Sequence, residues 1–320
     1  MKAVIIRQFG PPEVMKLEEV EKPSISNNQV LIRVHYSSVN PVDWKIRNGS
    51  LKLLTGSRFP RRLGFDFAGE VVEAGPRVTK FKKGDRVFGM LDFRHIGSYA
   101  EYVCVRENNI ASIPENLDFK EAAAVPLAAL TAYQALHNKG RMKNGEAVLI
   151  NGASGGVGSF AVQIAKAAGA HVTGVCGTHN IDLVKSLGAD TVTDYLVKNF
   201  SELPDMYDII FDAVGSHSFF RVSRKLKPSG RYITTLPNKS SDILSFFLTA
   251  LLPPFFSGKK SAFINVRPSD SDLHSLCHLI KERKLTPVID CTFTLDEISQ
   301  AHAYSETGHA RGKIVIEISG

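Results

Sequence analysis

Over the first third of the chain, apolar residues fall in short runs spaced like β-strands; beyond Phe119 the spacing lengthens to that of helices. Residues 3–7, 14–18, 29–37, 67–74 and 85–88 are brief β-branched and aromatic runs, and residues 99–105 (YAEYVCV) alternate with the period of two expected of a half-buried strand. Gly10-Pro11-Pro12, Gly75-Pro76 and Lys83-Gly84 separate them as turns. The pattern predicts a small, partly open β-barrel. Residues 120–137 are alanine-rich and helical, interrupted at Pro126. Strands at 147–151, 171–176, 208–213 and 231–235 then alternate with helices at 157–168, 181–187 and 218–226, an order that builds a parallel sheet with crossover helices. A strand at 261–266, a helix at 270–283 and a last strand at 314–318 follow, and the last strand is expected to return to the first domain.

The break in this alternation is residues 238–260, with the apolar stretch 246–256 (FFLTALLPPFF) at its centre. The stretch is about half the length needed to span a bilayer, and Pro253 and Pro254 interrupt it. A substrate mouth or a subunit interface is the first expectation for it, and membrane contact through residues 243–256 the second.

Candidate chemistry begins between strand 147–151 and helix 157–168, where Gly152, Gly155 and Gly158 are spaced G-x-x-G-x-x-G. Glycines there allow a tight turn and let backbone N–H groups approach a pyrophosphate, while the helix N-terminus adds partial positive charge. The strand–turn–helix context makes this a dinucleotide site. An NAD-preferring site carries an acid after the second strand to hold the ribose 2′-hydroxyl. Residues 174–180 hold none; Thr178 and Asn180 stand there as donors, with Tyr195 as a further candidate, and the expected cofactor is NADPH. Helix capping is the competing reading for Thr178.

The chain has 320 residues and a mass of 35.1 kDa, a length that suits two domains. Its net charge is +7, but the densest basic cluster is only Arg58, Arg61 and Arg62, so no nucleic-acid partner is expected. Four cysteines without a C-x-x-C pair argue against a disulfide framework or a zinc knuckle. Residues 1–10 contain only a four-residue apolar run, too short for a secretory signal, and a cytoplasmic setting is expected.

Six segments in order carry a resemblance: Asn40-Pro-Val-Asp-Trp-Lys45, Gly64-Phe-Asp-Phe-Ala-Gly69, Gly84-Asp-Arg-Val87, Pro126-Leu-Ala-Ala-Leu-Thr131, the glycine loop, and Gly308-His-Ala-Arg-Gly-Lys-Ile314. Through them the whole chain resembles the medium-chain dehydrogenase/reductase superfamily, closest to its zinc-free quinone oxidoreductase and enone reductase branch. The resemblance implies an α/β fold, with a GroES-like β-rich catalytic domain (1–122 and 284–320) and a doubly wound Rossmann domain (123–283). Where zinc dehydrogenases of the superfamily carry a ligand His after Gly64, this chain has Phe65, and the ligand cysteines are missing too. No metal site is expected, since tetrahedral zinc needs Cys or His ligands.

What remains is NADPH-dependent hydride transfer to an acceptor that is already electrophilic, a quinone or the C=C of an α,β-unsaturated carbonyl. The alternative is an NADPH-binding structural or regulatory protein with little turnover. The resemblance places Asn40 and Lys45 toward nicotinamide and substrate. Lys45 either polarises the acceptor carbonyl, binds the nicotinamide ribose, or is a solvated surface lysine. Asp43 either orients Lys45 or caps the helix beginning there. Thr131 is assigned to the nicotinamide; Ser154, Gly155, Gly156 and Val157 to the pyrophosphate turn; Val214, Gly215 and Leu236 to the sheet edge; and His309, Ala310 and Arg311 to a segment closing on the cofactor. No residue stands out as a general acid; solvent and Tyr99 are the proton sources considered. A monomer or homodimer is expected.

Overall fold

The computed structural model describes residues 1–235, 244, 245, 248, 249, 251 and 257–318. Two compact units result: Met1–Leu130 with Arg267–Glu282 and Pro287–Gly320, and Thr131–Val266 with Arg283–Thr286. The helix Asp270–Lys281 groups with the first unit, whereas the bounds implied by the resemblance put it in the Rossmann domain (123–283). It is held there by Asn116, whose Nδ2 donates to the Ile280 carbonyl at 2.9 Å, and by a Lys80–Asp270 ion pair of 2.5 Å.

The main sheet of the first unit runs in the order Ile289–Thr294, Lys313–Glu317, Gln29–Val39, Asp66–Ala74, Arg86–Met90, Ile110–Ser112, with Tyr102–Arg106 also paired to Gln29–Val39. The terminal strand Lys313–Glu317 lies antiparallel against Gln29–Val39, the return expected from the sequence. Alternation along the strands turns Val30, Ile32, Val34, Phe67, Val71, Val103 and Val105 into one buried cluster.

Among the described residues, the second unit holds six strands in the order Thr191–Asp194, His171–Cys176, Ala147–Asn151, Tyr207–Asp212, Leu226–Thr234, Lys260–Phe263, all parallel. Numbered within the unit this is 3-2-1-4-5-6, the doubly wound Rossmann order, which reverses beside Ala147–Asn151. Helix Gly156–Ala167 packs through Phe160, Ala161, Val162, Ile164 and Ala165, its alanines allowing close approach to the strands. Leu236 and most of residues 243–256 lie outside the described residues. Among the described residues, no helix is long and apolar enough to cross a membrane.

Candidate active site

Strand register assembles the polar centre of the first unit. Ser38 pairs with Asp66 and Val39 with Ile314, so Ser38, Asn40, Asp66 and Lys313 meet in one buried knot. Asp66 accepts from Ser38 Oγ at 2.7 Å, Asn40 Nδ2 at 2.9 Å and the Leu127 backbone N–H at 2.8 Å. Lys313 Nζ donates to Asn40 Oδ1 at 2.5 Å and to the Val39 carbonyl at 3.3 Å, and stands 3.4 Å from Asp66 Oδ2. Burial lowers the pKa of Lys313, and the carboxylates of Asp66 and Asp43 oppose that shift.

A second chain of contacts runs from Asp43. Its Oδ2 accepts the Asn40 N–H at 2.8 Å, its Oδ1 the Gly64 N–H at 3.2 Å, and the Tyr99 hydroxyl also bonds to it. Tyr99 Oη lies 3.3 Å from His302 Nε2, His302 Nδ1 lies 3.3 Å from Arg47 Nη1, and Arg47 Nη2 reaches Glu306 at 2.5 Å. A guanidinium only donates, so His302 accepts at Nδ1, carries its proton on Nε2 and donates to Tyr99, whose own proton then goes to Asp43. Burial pushes Asp43 up to about 7, against the Asn40 N–H; burial, helped by Arg47, pulls His302 down to about 3.

Asp43 therefore takes the capping alternative: its oxygens serve the start of helix Pro41–Arg47 and the Gly64 turn. Lys45, on the same helix, is half-buried with Nζ 5.4 Å from the Trp44 ring centroid, and desolvation lowers its pKa. Phe65 is buried, its ring centroid 5.4 Å from that of Phe93. Among the described residues, no three His, Cys, Asp or Glu side chains converge as a metal site would require.

In the second unit the chemistry lies in backbone shape. Gly152 has φ +79°, and a Cβ there would sit 2.5 Å from Val214 Cγ2. A Cβ at Gly158 would collide with the Gly152 carbonyl, whereas one at Gly155 would meet nothing closer than that carbonyl at 3.5 Å. The protein itself thus requires glycine at 152 and 158. At 155 it leaves a cradle that a side chain would fill, at the N-terminus of a 12-residue helix. Free N–H groups and positive dipole at that end fit a dinucleotide pyrophosphate. Ser154, Gly156 and Val157 surround the cradle, half-buried.

Val214 and Gly215 are held by a residue that the sequence reading did not single out. Asp212, 1% exposed, accepts from Asn151 Nδ2 at 2.8 Å, from the N–H groups of Val214, Gly215 and His217 at 3.2, 2.9 and 2.9 Å, and from the Tyr232 hydroxyl at 3.2 Å. Its signal in sequence was an acid ending an apolar strand just before a glycine.

At the end of strand His171–Cys176, Tyr195 lies over Gly177, where a Cβ would stand 3.3 Å from the phenol oxygen. Thr178 does not cap a helix; its hydroxyl donates to Asp194 Oδ2 at 2.5 Å. The loop after this strand lacks an acid, but the neighbouring strand Thr191–Asp194 supplies one beside it, Asp194 pairing with Cys176. Among the described residues, Asn180 Oδ1 is buried without a partner. Thr131 is buried in helix Pro126–Tyr133. In the first unit, His309 and Arg311 are exposed and Ala310 half-buried, in the turn before strand Lys313–Glu317.

Two family models match the chain. The GroES-like domain model of alcohol dehydrogenases matches residues 26–115, and a zinc-binding dehydrogenase model matches residues 187–316. The chloroplastic quinone-oxidoreductase homolog of Spinacia oleracea is 36% identical over 317 residues, 96% of this chain and 95% of its own. The chloroplastic NADPH-dependent alkenal/one oxidoreductase of Arabidopsis thaliana is 35% identical over 327 residues, 99% of this chain and 79% of its own. The solved quinone oxidoreductase of Coxiella burnetii superposes with a TM-score of 0.89 at 36% identity, covering 100% of this chain and 99% of that one.

Proposed function

Because this chain belongs to the medium-chain dehydrogenase/reductase superfamily, in its zinc-free quinone oxidoreductase branch, we propose that it is an NADPH-dependent reductase of quinones or α,β-unsaturated carbonyls. One observation carries the metal-free reading. Phe65 fills, with a buried aromatic ring, the place where the zinc branch has a ligand histidine. The acceptor must then be electrophilic by itself, which quinones and conjugated enones are.

The pyrophosphate is assigned to the cradle at Gly155 with Ser154, Gly156 and Val157, and the adenosine ribose to Thr178, Asn180 and Tyr195. Thr131, Val214, Gly215, Leu236, His309, Ala310 and Arg311 complete the cofactor contacts in this reading. When bound, NADPH supplies the hydride, and the chain supplies orientation and a water-poor setting. Asn40 is a rigid donor and acceptor, because Asp66 and Lys313 hold both ends of its amide. Asp43 acts through position, fixing the Asn40 and Gly64 backbones. Lys45 donates to the acceptor carbonyl as negative charge develops there, an interaction stronger in the transition state than with the neutral substrate. Tyr99 is fully buried and its hydroxyl is occupied by Asp43 and His302, so the balancing proton is assigned to solvent. Four unpaired cysteines suit a reducing compartment such as the cytoplasm.

Oxidation of NADPH by the purified chain, with one quinone, one short alkenal and one long-chain enone, tests the reaction; no turnover with any of them would sink it. Lys45→Ala tests the role. Loss of a well-placed donor is expected to lower kcat about 100-fold with the fold intact. A raised Kd for NADPH with unchanged kcat would instead put Lys45 on the nicotinamide ribose.

A further inference from the structure

We propose that Asp194 is a specificity-determining residue that weakens the site's grip on the 2′-phosphate of NADPH and so keeps NADH usable. This rests on reading the Gly152–Gly158 turn as a cofactor site. It goes further in assigning to the phosphate end an acid that comes from another strand.

The geometry is local to the second unit. Parallel pairing sets Cys176 opposite Asp194, so the loop that opens at Gly177 emerges beside the Asp194 carboxylate. A hydroxyl has one proton, and Thr178 spends it on Asp194 Oδ2 at 2.5 Å. Toward any other group Thr178 then presents only lone pairs. The other carboxylate oxygen, Oδ1, accepts the Leu196 N–H at 2.9 Å, and the Asp194 carbonyl accepts the N–H groups of Val197 and Lys198 at 3.2 and 2.9 Å. The acid is therefore held in place by its own turn, and the tyrosine beside it is anchored through its N–H to the Cys176 carbonyl at 3.1 Å.

The donor set that the loop offers a phosphate is thus smaller than its residue types suggest. Of Thr178, Asn180 and Tyr195, the first is engaged as a donor elsewhere, and a fixed anion stands beside it. A ribose 2′-hydroxyl meets no such penalty, since it can donate to an acceptor and carries no charge. Like charges near a protein surface repel enough to change an affinity about tenfold, and salt screens the effect because the loop is open to solvent.

Calorimetric titration of NADPH and NADH against the full chain and its Asp194→Asn variant tests this without turnover. Asparagine keeps the shape, removes the charge and can donate. The variant is expected to bind NADPH about tenfold more tightly and NADH within about twofold of the parent, with the NADPH gain shrinking as salt rises. In Asp194→Asn, where the Thr178 proton is no longer committed to a carboxylate, adding Thr178→Val should remove part of the NADPH gain. Weaker NADPH binding in Asp194→Asn would overturn the proposal, since Asp194 would then be organising the phosphate pocket. An unchanged NADPH/NADH ratio would overturn it as well. If neither cofactor binds the parent chain, the cofactor site itself fails, a result distinct from a site that binds both with an unmoved ratio.

Discussion

Around Asp66 and Lys313, the first unit takes an anion and a cation out of water, each at 3% exposure or less, and surrounds them with partners. Around Gly155, the second unit does the reverse and leaves a gap where a side chain would go, at the end of a helix with N–H groups to offer. The first region is a knot of specific side chains whose removal is costly. The second is a shape whose filling is costly. Each can be broken by the change that the other would tolerate.

The largest expected effect is at the knot. Lys313→Met removes one member of a buried ion pair and leaves Asp66 to its three neutral donors. Breaking such a pair by one partner destabilises by about 3–5 kcal/mol, whereas replacing both partners is often far milder. Denaturant midpoints should therefore fall steeply in Lys313→Met and recover in part in the double variant with Asp66→Asn. A double variant whose loss is the sum of the Lys313→Met and Asp66→Asn losses would show that the two side chains act independently and that the knot is not a unit.

A smaller effect separates two glycines of one motif. Gly158→Ala forces a methyl into the Gly152 carbonyl and should lower both the melting temperature and cofactor affinity. Gly155→Ala meets no protein atom nearer than 3.5 Å and should leave the melting temperature nearly unchanged. Its methyl enters the cradle instead, and NADPH affinity should fall about tenfold, as expected when backbone can no longer approach a phosphate closely. A Gly155→Ala chain with parental affinity would show that the cradle is not where the pyrophosphate sits.

The same contrast explains what could be read in the chain beforehand. The glycine loop is contiguous, and its strand–turn–helix setting lies within a few dozen residues, so the turn at residues 152–158 and the parallel character of the sheet were legible. Strand 147–151 and strand 171–176 appear where the apolar runs put them. The knot was not legible, because Ser38, Asn40, Asp66 and Lys313 become neighbours only through the register of three strands. Asn40 and Asp43 were singled out by family resemblance alone; nothing local distinguishes Lys313 from a surface lysine. Asp194 was missed for the same reason, the acid being sought along the loop rather than across the sheet. Helix Asp270–Lys281 groups with the first unit rather than with residues 123–283 because a helix's own sequence does not say which sheet it packs on; contacts such as Asn116 with Ile280 decide that.

The last effect concerns pH, and it asks whether the chain from Asp43 to His302 is one network. Asp43 titrates at about 7 in the fold against 3.8 ordinarily, so its contribution to stability is full below about pH 4 and is lost as pH rises toward 7. His302 titrates at about 3 against 6.5 ordinarily, so its contribution is full above about pH 6.5 and is lost as pH falls toward 3. Across the shared window, folding takes up a proton at Asp43 and releases one at His302. The two slopes, each about 1 kcal/mol per pH unit, oppose one another and cancel. His302→Gln should expose the Asp43 slope: relative to the parent, the melting temperature of the variant should fall as pH is raised from 4 to 6.5. Asp43→Asn should expose the His302 slope, with a relative melting temperature that rises over the same range. If both variants run parallel to the parent, neither group titrates as its burial demands, and the hydrogen bonds from Asn40, Gly64 and Tyr99 hold Asp43 ionised throughout.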